Sequence, residues 1–185
     1  MRITALDPQL SRPDRVNLHL DGAFHAALAA DVVYAERLHV GDELDAARLA
    51  AVTAADQAWR AREAALLLLS YRPRSAGELR RRLAENGFPA EVAEACVAGL
   101  VESGVVDDSA FAELFVRDRV RLRPHGRRRL ARELRARGVE PEAARSAIDE
   151  VLAREETGDL ELARRAAAKW RPRPGEDPRK ARRRL

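Results

Sequence analysis

The chain has 185 residues, a formal net charge of +4 and a single cysteine, Cys96. That length fits one or two small domains, and one cysteine excludes a disulfide framework or a thiolate metal site within one chain. The start of the chain lacks the apolar core of a signal peptide, and the longest apolar run, residues 64–69, is far too short for a membrane span. We therefore expect a cytoplasmic protein with no membrane association.

Basic and acidic residues are placed unevenly along the chain. Residues 1–58 hold five arginines against nine acidic residues, a net charge of −4, whereas residues 117–139 hold ten arginines against two acidic residues, a net charge of +8. Residues 164–185 also carry +8. Arg- and Ala-rich codon usage explains an excess of arginine anywhere, but it does not explain this placement. A basic half joined to an acidic half favours a polyanion or an acidic protein surface as partner.

The N-terminal residues predict a β-hairpin. Residues 16–20 alternate apolar and polar side chains, the pair Asp21-Gly22 follows, and residues 23–28 continue as a second strand. An Asp-Gly pair suits a two-residue hairpin turn because both of its positions require positive φ. Residues 2–6 are a candidate for a short third strand.

Two short helical segments follow the predicted hairpin. Residues 31–38 predict a short helix that Gly41 closes, and Asp45 is placed to cap a helix that begins at Ala46.

From residue 56 onward the sequence repeats itself at an offset of 51 residues, without gaps. Repetition at a fixed offset is typical of repeat proteins, whose units bury their apolar faces by stacking. Matches of proline, glycine and leucine carry most weight, because these residues end or pack helices. The matched residues are Asp56 and Asp107, Ala61 and Ala112, Arg72-Pro73 and Arg123-Pro124, Leu79 and Leu130, Arg81 and Arg132, Leu83 and Leu134, Gly87 and Gly138, and Glu91 and Glu142.

Each unit is predicted to contain three helices. In the first unit, residues 59–71 form a helix that Arg72-Pro73 ends, a second helix starts at a capping box beginning with Ser75 and ends at Gly87, and Pro89 opens a third. The second unit follows the same pattern, with helices at residues 109–122, 126–137 and 141–155. A third unit begins with a helix at residues 160–170, which Arg171-Pro172 ends, and residues 178–185 would start its second helix.

These elements define the predicted fold class and domains. The protein is expected to be mainly α-helical, with tandem three-helix repeats in an elongated array behind a small N-terminal extension that contains a β-hairpin. The predicted divisions are an extension at residues 1–55, repeats at 56–105 and 106–155, and an incomplete third repeat with a basic tail at 156–185. Predicted core residues are Leu79, Leu83, Phe111, Leu114, Phe115, Leu130 and Leu134.

The sequence contains no convincing catalytic, metal or cofactor site, so we expect no enzyme and no bound cofactor. Its four histidines have no partners at metal-ligand spacing, and phosphate-loop and dinucleotide motifs are missing. The pair Asp107-Asp108 is interpreted as a helix cap in preference to a metal site. Cys96, between Ala95 and Val97, is interpreted as a small core residue in preference to a nucleophile.

The helix predicted at residues 126–137 carries the strongest charge signal. Leu130 and Leu134 define its buried side, and at about 100° per residue several arginines fall on the opposite side. A solvated surface helix is the alternative, but clustered like charges repel unless a partner neutralises them. That partner is either phosphate or an acidic protein surface, and no aromatic residues interleave to form a base-stacking platform. The candidate partner-binding residues are Arg81, Arg82, Arg117, Arg121, Arg123, Arg128, Arg129, Arg132 and Arg135.

Three motifs in order resemble the RecX family, the bacterial regulators of the RecA recombinase. They are ALLLLSYRPRS from Ala65 with Glu78-Leu79 after it, VVDDSAFAE from Val105, and GRRRLARELRARG from Gly126. Together they lie within residues 58–155, and the predicted N-terminal strands resemble the extension of some members. Members usually complete a third repeat, whereas this sequence ends at Leu185 within its third unit.

The resemblance implies a partner and a function. RecX-like proteins are arrays of three-helix repeats that bind the RecA filament on single-stranded DNA. They limit filament growth, ATP hydrolysis and strand exchange, and so modulate recombination, DNA repair and the SOS response. The resemblance therefore implies a monomer that regulates RecA, with single-stranded DNA met as part of the filament. The alternative is a stand-alone DNA-binding helical repeat protein whose arginine face grips phosphates.

Overall fold

The computed structural model describes residues 1–122, 124–156 and 158–169. Contacts divide the chain into two compact units. The N-terminal unit contains Met1–Tyr71 and Leu83–Ala98, and the C-terminal unit contains Arg72–Arg82 and the chain from Gly99 onward. The described part is mostly helical behind a three-stranded antiparallel sheet, so the predicted fold class is confirmed in its helical repeats and its N-terminal sheet.

The sheet consists of β1 (Ile3–Gln9), β2 (Arg12–Leu20) and β3 (Ala23–Ala29), in that order. The predicted hairpin is confirmed, since Asp21 and Gly22 have φ values of 49° and 87° between β2 and β3. The third strand is also present, and all three strands extend beyond their predicted bounds. Apolar side chains from one face of the sheet form the core of the N-terminal unit together with residues of the helix at Ala46–Tyr71 and of the connection that precedes it. These core residues are Ile3, Leu18, Leu20, Leu28, Leu38, Leu44 and Val52.

Two helices follow the sheet in the N-terminal unit, α1 (Ala30–Ala35) and α2 (Ala46–Tyr71). The predicted cap at the start of α2 is confirmed, because the Asp45 carboxylate accepts a hydrogen bond from the Arg48 amide at 2.7 Å. The sequence interpretation divided this stretch near residue 56, but α2 is one continuous helix. No proline or glycine lies within it to end it.

A buried carboxylate joins α2 to the sheet. Asp56 is 6% exposed, and one of its oxygens accepts hydrogen bonds from the Arg15 guanidinium at 3.0 Å and from the Ala29 amide at 2.7 Å. Arg15 also donates to the carbonyl of Ala27 on β3. A buried charge is costly unless it is paired and hydrogen-bonded, and here both conditions hold. The pair therefore fixes the middle of α2 against β2 and the end of β3.

The next two helices are α3 (Ala76–Glu85) and α4 (Ala90–Glu102). The Ser75 hydroxyl accepts a hydrogen bond from the Glu78 amide at 3.1 Å, which confirms the predicted N-terminal cap of α3. Gly87 has a φ of 86° just after α3, as expected for a left-handed helix end. Leu79 and Leu83 are fully buried, as predicted.

The C-terminal unit contains α5 (Asp108–Leu122), α6 (Arg127–Arg135), α7 (Pro141–Arg154) and α8 (Asp159–Lys169). The predicted caps are present: the Asp107 carboxylate accepts from the amides of Ser109 and Ala110, and Pro141 opens α7. The predicted residues of the third unit after Lys169 lie outside the described residues. The shared core comprises Phe111, Ala112, Val116, Val120, Leu130, Leu134, Val139, Ala144, Ala147, Ile148, Val151, Leu152 and Leu162.

One predicted core residue is on the wrong side of its helix. Leu114 is 39% exposed, whereas Phe111 is buried and Phe115 packs against the core. Leu114 lies two positions from both Ala112 and Val116, and two steps of about 100° turn a side chain to the far side of a helix. The prediction for Leu114 was therefore wrong, because Ala112 and Val116 set the buried face of α5.

Two glycines of the C-terminal unit bring their backbones into close contact. A Cβ added to Gly77 would lie 2.7 Å from the Cα of Gly138 and 2.8 Å from the carbonyl oxygen of Arg137. A Cβ added to Gly138 would lie 2.8 Å from the Cα of Gly77, and Gly138 has a φ of 80°. Only residues without side chains fit at both positions, so the start of α3 lies directly against the turn after α6.

We predict that Gly77→Ala destabilises the protein although alanine favours helices. Helix propensity alone would stabilise the variant by about 1 kcal/mol, but overlap with two backbone atoms reverses the sign and costs about 1–3 kcal/mol net. Free energies of unfolding in urea measure the effect.

Gly138 and Gly87 form a matched pair for the same test. Both have positive φ, but a Cβ on Gly87 would meet nothing within 4 Å. Gly87→Ala should cost about 1–2 kcal/mol for its backbone conformation, and Gly138→Ala about 1–3 kcal/mol more for the overlap. Equal costs for the two variants would contradict the close contact.

Candidate arginine interface

Helix α6 presents three arginines on its outer side. Leu130 and Leu134 are fully buried and hold α6 against the core of the C-terminal unit. Arg128, Arg132 and Arg135 are exposed and stand at positions i, i+4 and i+7. At about 100° per residue they lie within about 60° of one another, opposite the two leucines, and they extend for about 10 Å along the helix axis. We call these three residues the arginine stripe.

The side chains of the arginine stripe have no partner among the residues that the structure describes. No described residue forms a hydrogen bond or an ion pair with the guanidinium groups of Arg128, Arg132 or Arg135. Guanidinium groups one turn apart on a helix repel one another. The stripe therefore concentrates positive charge that the described part of the chain leaves for solvent or for a partner.

Arg129, beside the stripe, is neutralised by Glu133, a carboxylate that several basic side chains share and that we call the Glu133 hub. Glu133 accepts hydrogen bonds from Nε of Arg119 at 3.0 Å and from Nε of Arg129 at 3.1 Å. Nδ1 of His125 lies 3.2 Å from the same carboxylate. Burial alone would raise the pKa of Glu133, but the hydrogen bonds from Arg119 and Arg129, with nearby His125, hold that pKa below its ordinary value of 4.5. Glu133 thus ties the end of α5 and the turn before α6 to the middle of α6.

The other predicted arginines occupy different environments. Arg81 and Arg82 are exposed on α3, and Arg81 donates to the carbonyl of Ala136 at 3.0 Å. Arg123 lies outside the described residues. On α5, Arg117 lies 3.9 Å from Glu113, and Arg121 lies 2.6 Å from Glu155.

The sequence did not predict that the ring of Phe115 contacts two arginines. The ring of Phe115 has the guanidinium of Arg119 over it at 4.6 Å from the centroid and that of Arg137 at 4.4 Å. Such cation–π contacts add stability. Arg137 also lies 3.6 Å from the Glu78 carboxylate, so both neighbours of Phe115 are held on further partners. The only sequence signal was the helical spacing of Phe115.

The described residues hold no group of three or more His, Cys, Asp or Glu side chains that could bind a metal ion. Asp107 serves as a helix cap and Asp108 accepts a hydrogen bond from the Ala76 amide at 2.8 Å, so the interpretation of this pair as structural agrees with its contacts.

Cys96 is half-buried, and burial raises the pKa of its thiol, although nearby Arg62 opposes that shift. Among the described helices, none is both long and apolar enough to cross a membrane.

The fold defines a protein of tandem three-helix modules preceded by a small antiparallel sheet. Three family descriptions match consecutive parts of the chain: the RecX N-terminal domain at residues 1–45, the first RecX three-helix domain at 61–100 and the second at 107–148. Together they cover more than half of the chain. The chain belongs to the RecX family of regulatory proteins.

Proteins with similar sequences are named regulatory protein RecX. The regulatory protein RecX of Thermobifida fusca is 42% identical over 118 residues, which are 63% of this chain and 64% of that protein. That of Levilactobacillus brevis is 34% identical over 150 residues, which are 81% of this chain and 54% of that protein. The chain thus spans less than two thirds of the length of these relatives.

Solved structures agree with the fold. A crystal structure of a regulatory protein RecX superposes with a TM-score of 0.72 at 29% identity, covering 98% of this chain and 88% of the other. The structure of RecX from Lactobacillus salivarius has a TM-score of 0.51 at 20% identity, covering 70% of this chain and 83% of the other, and supports the fold alone.

We predict that Glu133→Gln weakens the fold in a pH-dependent way. Because the folded pKa of Glu133 is lowered, its stabilising effect is complete above the ordinary carboxyl pKa and is lost as the pH falls through the folded value. The loss in free energy of unfolding should therefore be larger at about pH 7 than at about pH 4.

The control for this prediction is Glu102→Gln. Glu102 is exposed on α4, and no described residue pairs with its side chain. This variant should match the wild-type stability at both pH values. An effect of Glu133→Gln that is the same at both pH values would show that the ionised form of Glu133 adds nothing.

Proposed function

We propose that this protein regulates the RecA recombinase by binding the filament that RecA forms on single-stranded DNA. Binding limits filament growth, ATP hydrolysis and strand exchange, and so modulates recombination, DNA repair and the SOS response. Membership of the RecX family supports this function. The protein would act in the cytoplasm as a monomer and without a cofactor.

The observation that carries this proposal is the unpaired arginine stripe. A filament of RecA on DNA offers phosphates and acidic side chains, and guanidinium groups bind both through charge-assisted, forked hydrogen bonds. Arg128, Arg132 and Arg135 can bind without first breaking a pair with any described residue. The binding of an anion to any of them therefore breaks no contact of the described fold.

The paired arginines of the predicted set would contribute less. Arg117, Arg121 and Arg129 each have an acidic neighbour in an exposed or half-exposed pair. Exposed ion pairs contribute little to stability, so an arginine can exchange its partner for an external anion at small cost. We propose that they form the rim of the interface, with Arg82 and Arg123 included on charge alone. Arg81 is the least suited, because its guanidinium already binds the end of α6.

A stand-alone DNA-binding protein remains the alternative proposal, because the stripe suits phosphates in any context. The two proposals differ in one observable. A filament regulator needs RecA for its effect, whereas a DNA-binding protein retards free DNA at modest salt.

We predict that the variant Arg128→Glu, Arg132→Glu, Arg135→Glu folds normally but no longer suppresses RecA ATPase on single-stranded DNA. These side chains make no described contact whose loss would weaken the core, and their removal relieves mutual repulsion. The measurement is RecA ATPase as the protein is titrated in. Circular dichroism and a thermal melt check that the variant is folded.

The matched control changes charge by the same amount elsewhere. Arg12, Arg60 and Arg62 are exposed in the N-terminal unit, so their triple replacement by Glu tests net charge without touching the stripe. We expect the control to suppress ATPase at the wild-type dose. If the stripe variant is folded and also does so, the stripe is solvated surface and the binding site lies elsewhere.

The salt dependence of binding reports what the stripe touches. If it meets phosphates of single-stranded DNA, each lost contact should reduce the slope of log affinity against log salt by about 0.7. If it meets acidic side chains of the filament, affinity for the filament should fall while affinity for naked DNA stays the same.

A further inference from the structure

An open notch lies beside the arginine stripe, between α6 and α7. It is lined by Ala131 from α6, by Pro141 and Ala144 from α7, and by the two exposed arginines Arg135 and Arg145. Its volume is about 330 Å³, which exceeds the size of a single leucine or phenylalanine side chain. The notch therefore places an apolar surface directly next to one end of a cationic row.

We infer that the stripe and the notch together bind an acidic peptide segment of a protein partner, with one apolar side chain of that segment in the notch. Carboxylates on the same segment would pair with Arg128, Arg132 and Arg135. The inference rests on the proposed function in one respect, since it assigns a chemical class to the surface that meets the stripe.

Charge complementarity favours an acidic occupant. Of the two arginines that line the notch, Arg145 pairs with Glu142, and Arg135 pairs with no described residue. Glu142 is an acidic side chain that forms an ion pair with a lining residue, and Arg145 already neutralises it. An incoming carboxylate thus meets Arg135 and then the rest of the stripe, with no opposing negative charge from the lining residues.

The lining favours a peptide over a nucleic acid. None of the residues that line the notch is aromatic, and Ala131, Pro141 and Ala144 have no side-chain group that could bond to a base edge. Base recognition relies on stacking or on such hydrogen bonds. An aliphatic or aromatic side chain, in contrast, gains free energy simply by leaving water for an apolar surface.

The dimensions suit a short extended segment. The stripe is about 10 Å long, and an extended chain advances about 3.3 Å per residue, so about three residues span it. A segment that anchors one apolar side chain beside Arg135 can therefore place acidic side chains along the whole stripe. Binding through charge alone would not need an apolar side chain in the notch, so that side chain is the feature to test.

The test compares two fluorescein-labelled peptides by anisotropy with the full chain. One peptide consists of glutamates around a central leucine, and the other has serine in place of that leucine. We expect the wild-type protein to bind the leucine peptide about tenfold more tightly, because burying a leucine side chain is worth about that factor. This comparison requires no variant.

Two variants locate the effect. Ala131→Leu fills the notch without changing charge, so it should remove the preference for leucine and leave the affinity for the serine peptide unchanged. Arg132→Gln should weaken both peptides by the same factor. The matched control is Arg60→Gln, which removes an exposed arginine of the N-terminal unit and should leave both affinities unchanged.

Equal affinity of the wild-type protein for the two peptides would overturn the inference, as would a preference for leucine that survives in folded Ala131→Leu. Stronger binding of an oligothymidylate than of either peptide at the same salt, lost in Arg132→Gln, would assign the stripe to nucleic acid instead. The peptide assay contains no RecA. A leucine preference without suppression of RecA ATPase would therefore reject the proposed function alone, and the reverse result would reject this inference alone.

Discussion

The contact between Gly77 and Gly138 is the constraint on which the C-terminal unit depends. It brings the start of α3 against the turn that follows α6, where the last carbonyls of α6 lack partners within their own helix. The Ser75 hydroxyl donates to the carbonyl of Arg137, and the Arg81 guanidinium donates to that of Ala136. A cation at a helix C-terminus also opposes the helix dipole. Ser75, just before α3, and Arg81 within it thus complete the end of α6, and they can do so only because neither glycine carries a Cβ.

This anchoring explains how one short helix can present so much charge. The nine residues of α6 include five arginines and one acidic residue. Its end is held by α3 and its inner side by Leu130 and Leu134, and the Glu133 hub links it to Arg119 of α5. The chain supplies acidic partners for the arginines around the stripe: Glu133 for Arg119 and Arg129, Asp149 for Arg127, and Glu78 for Arg137. The stripe receives none among the described residues, and this selective omission supports a binding role more strongly than total charge does.

Local features of the fold were predictable because their causes lie within a few residues. The caps at Asp45, Ser75 and Pro141 and the left-handed ends at Gly87 and Gly138 follow from residue type and spacing. The buried leucines of α3 and α6 follow from helical periodicity. The stripe followed from the same periodicity, once Leu130 and Leu134 had set the buried side.

Features that depend on a distant partner were not predictable. Asp56 and Asp107 match in the repeat alignment, yet Asp107 caps α5, whereas Asp56 lies inside α2 and binds Arg15 and Ala29. Because α2 begins ten residues earlier, the amides after Asp56 are already bonded within the helix, and its carboxylate is available to residues of β2 and β3. The notch beside Arg135 needs side chains from two helices, so no single periodic pattern could indicate it.

The second helices of the two repeats differ at two of the three positions that form the stripe. At the offset of 51 residues, Gly77 corresponds to Arg128, Arg81 to Arg132 and Ala84 to Arg135. The first of these must be glycine, because any side chain there would overlap the backbone of Gly138. The second binds the end of α6 instead of facing outward for a partner. In the first repeat the second helix, α3, supports the end of α6, and in the second repeat the second helix, α6, presents the positive charge. The close contact that positions the stripe on α6 is the same contact that prevents α3 from having one.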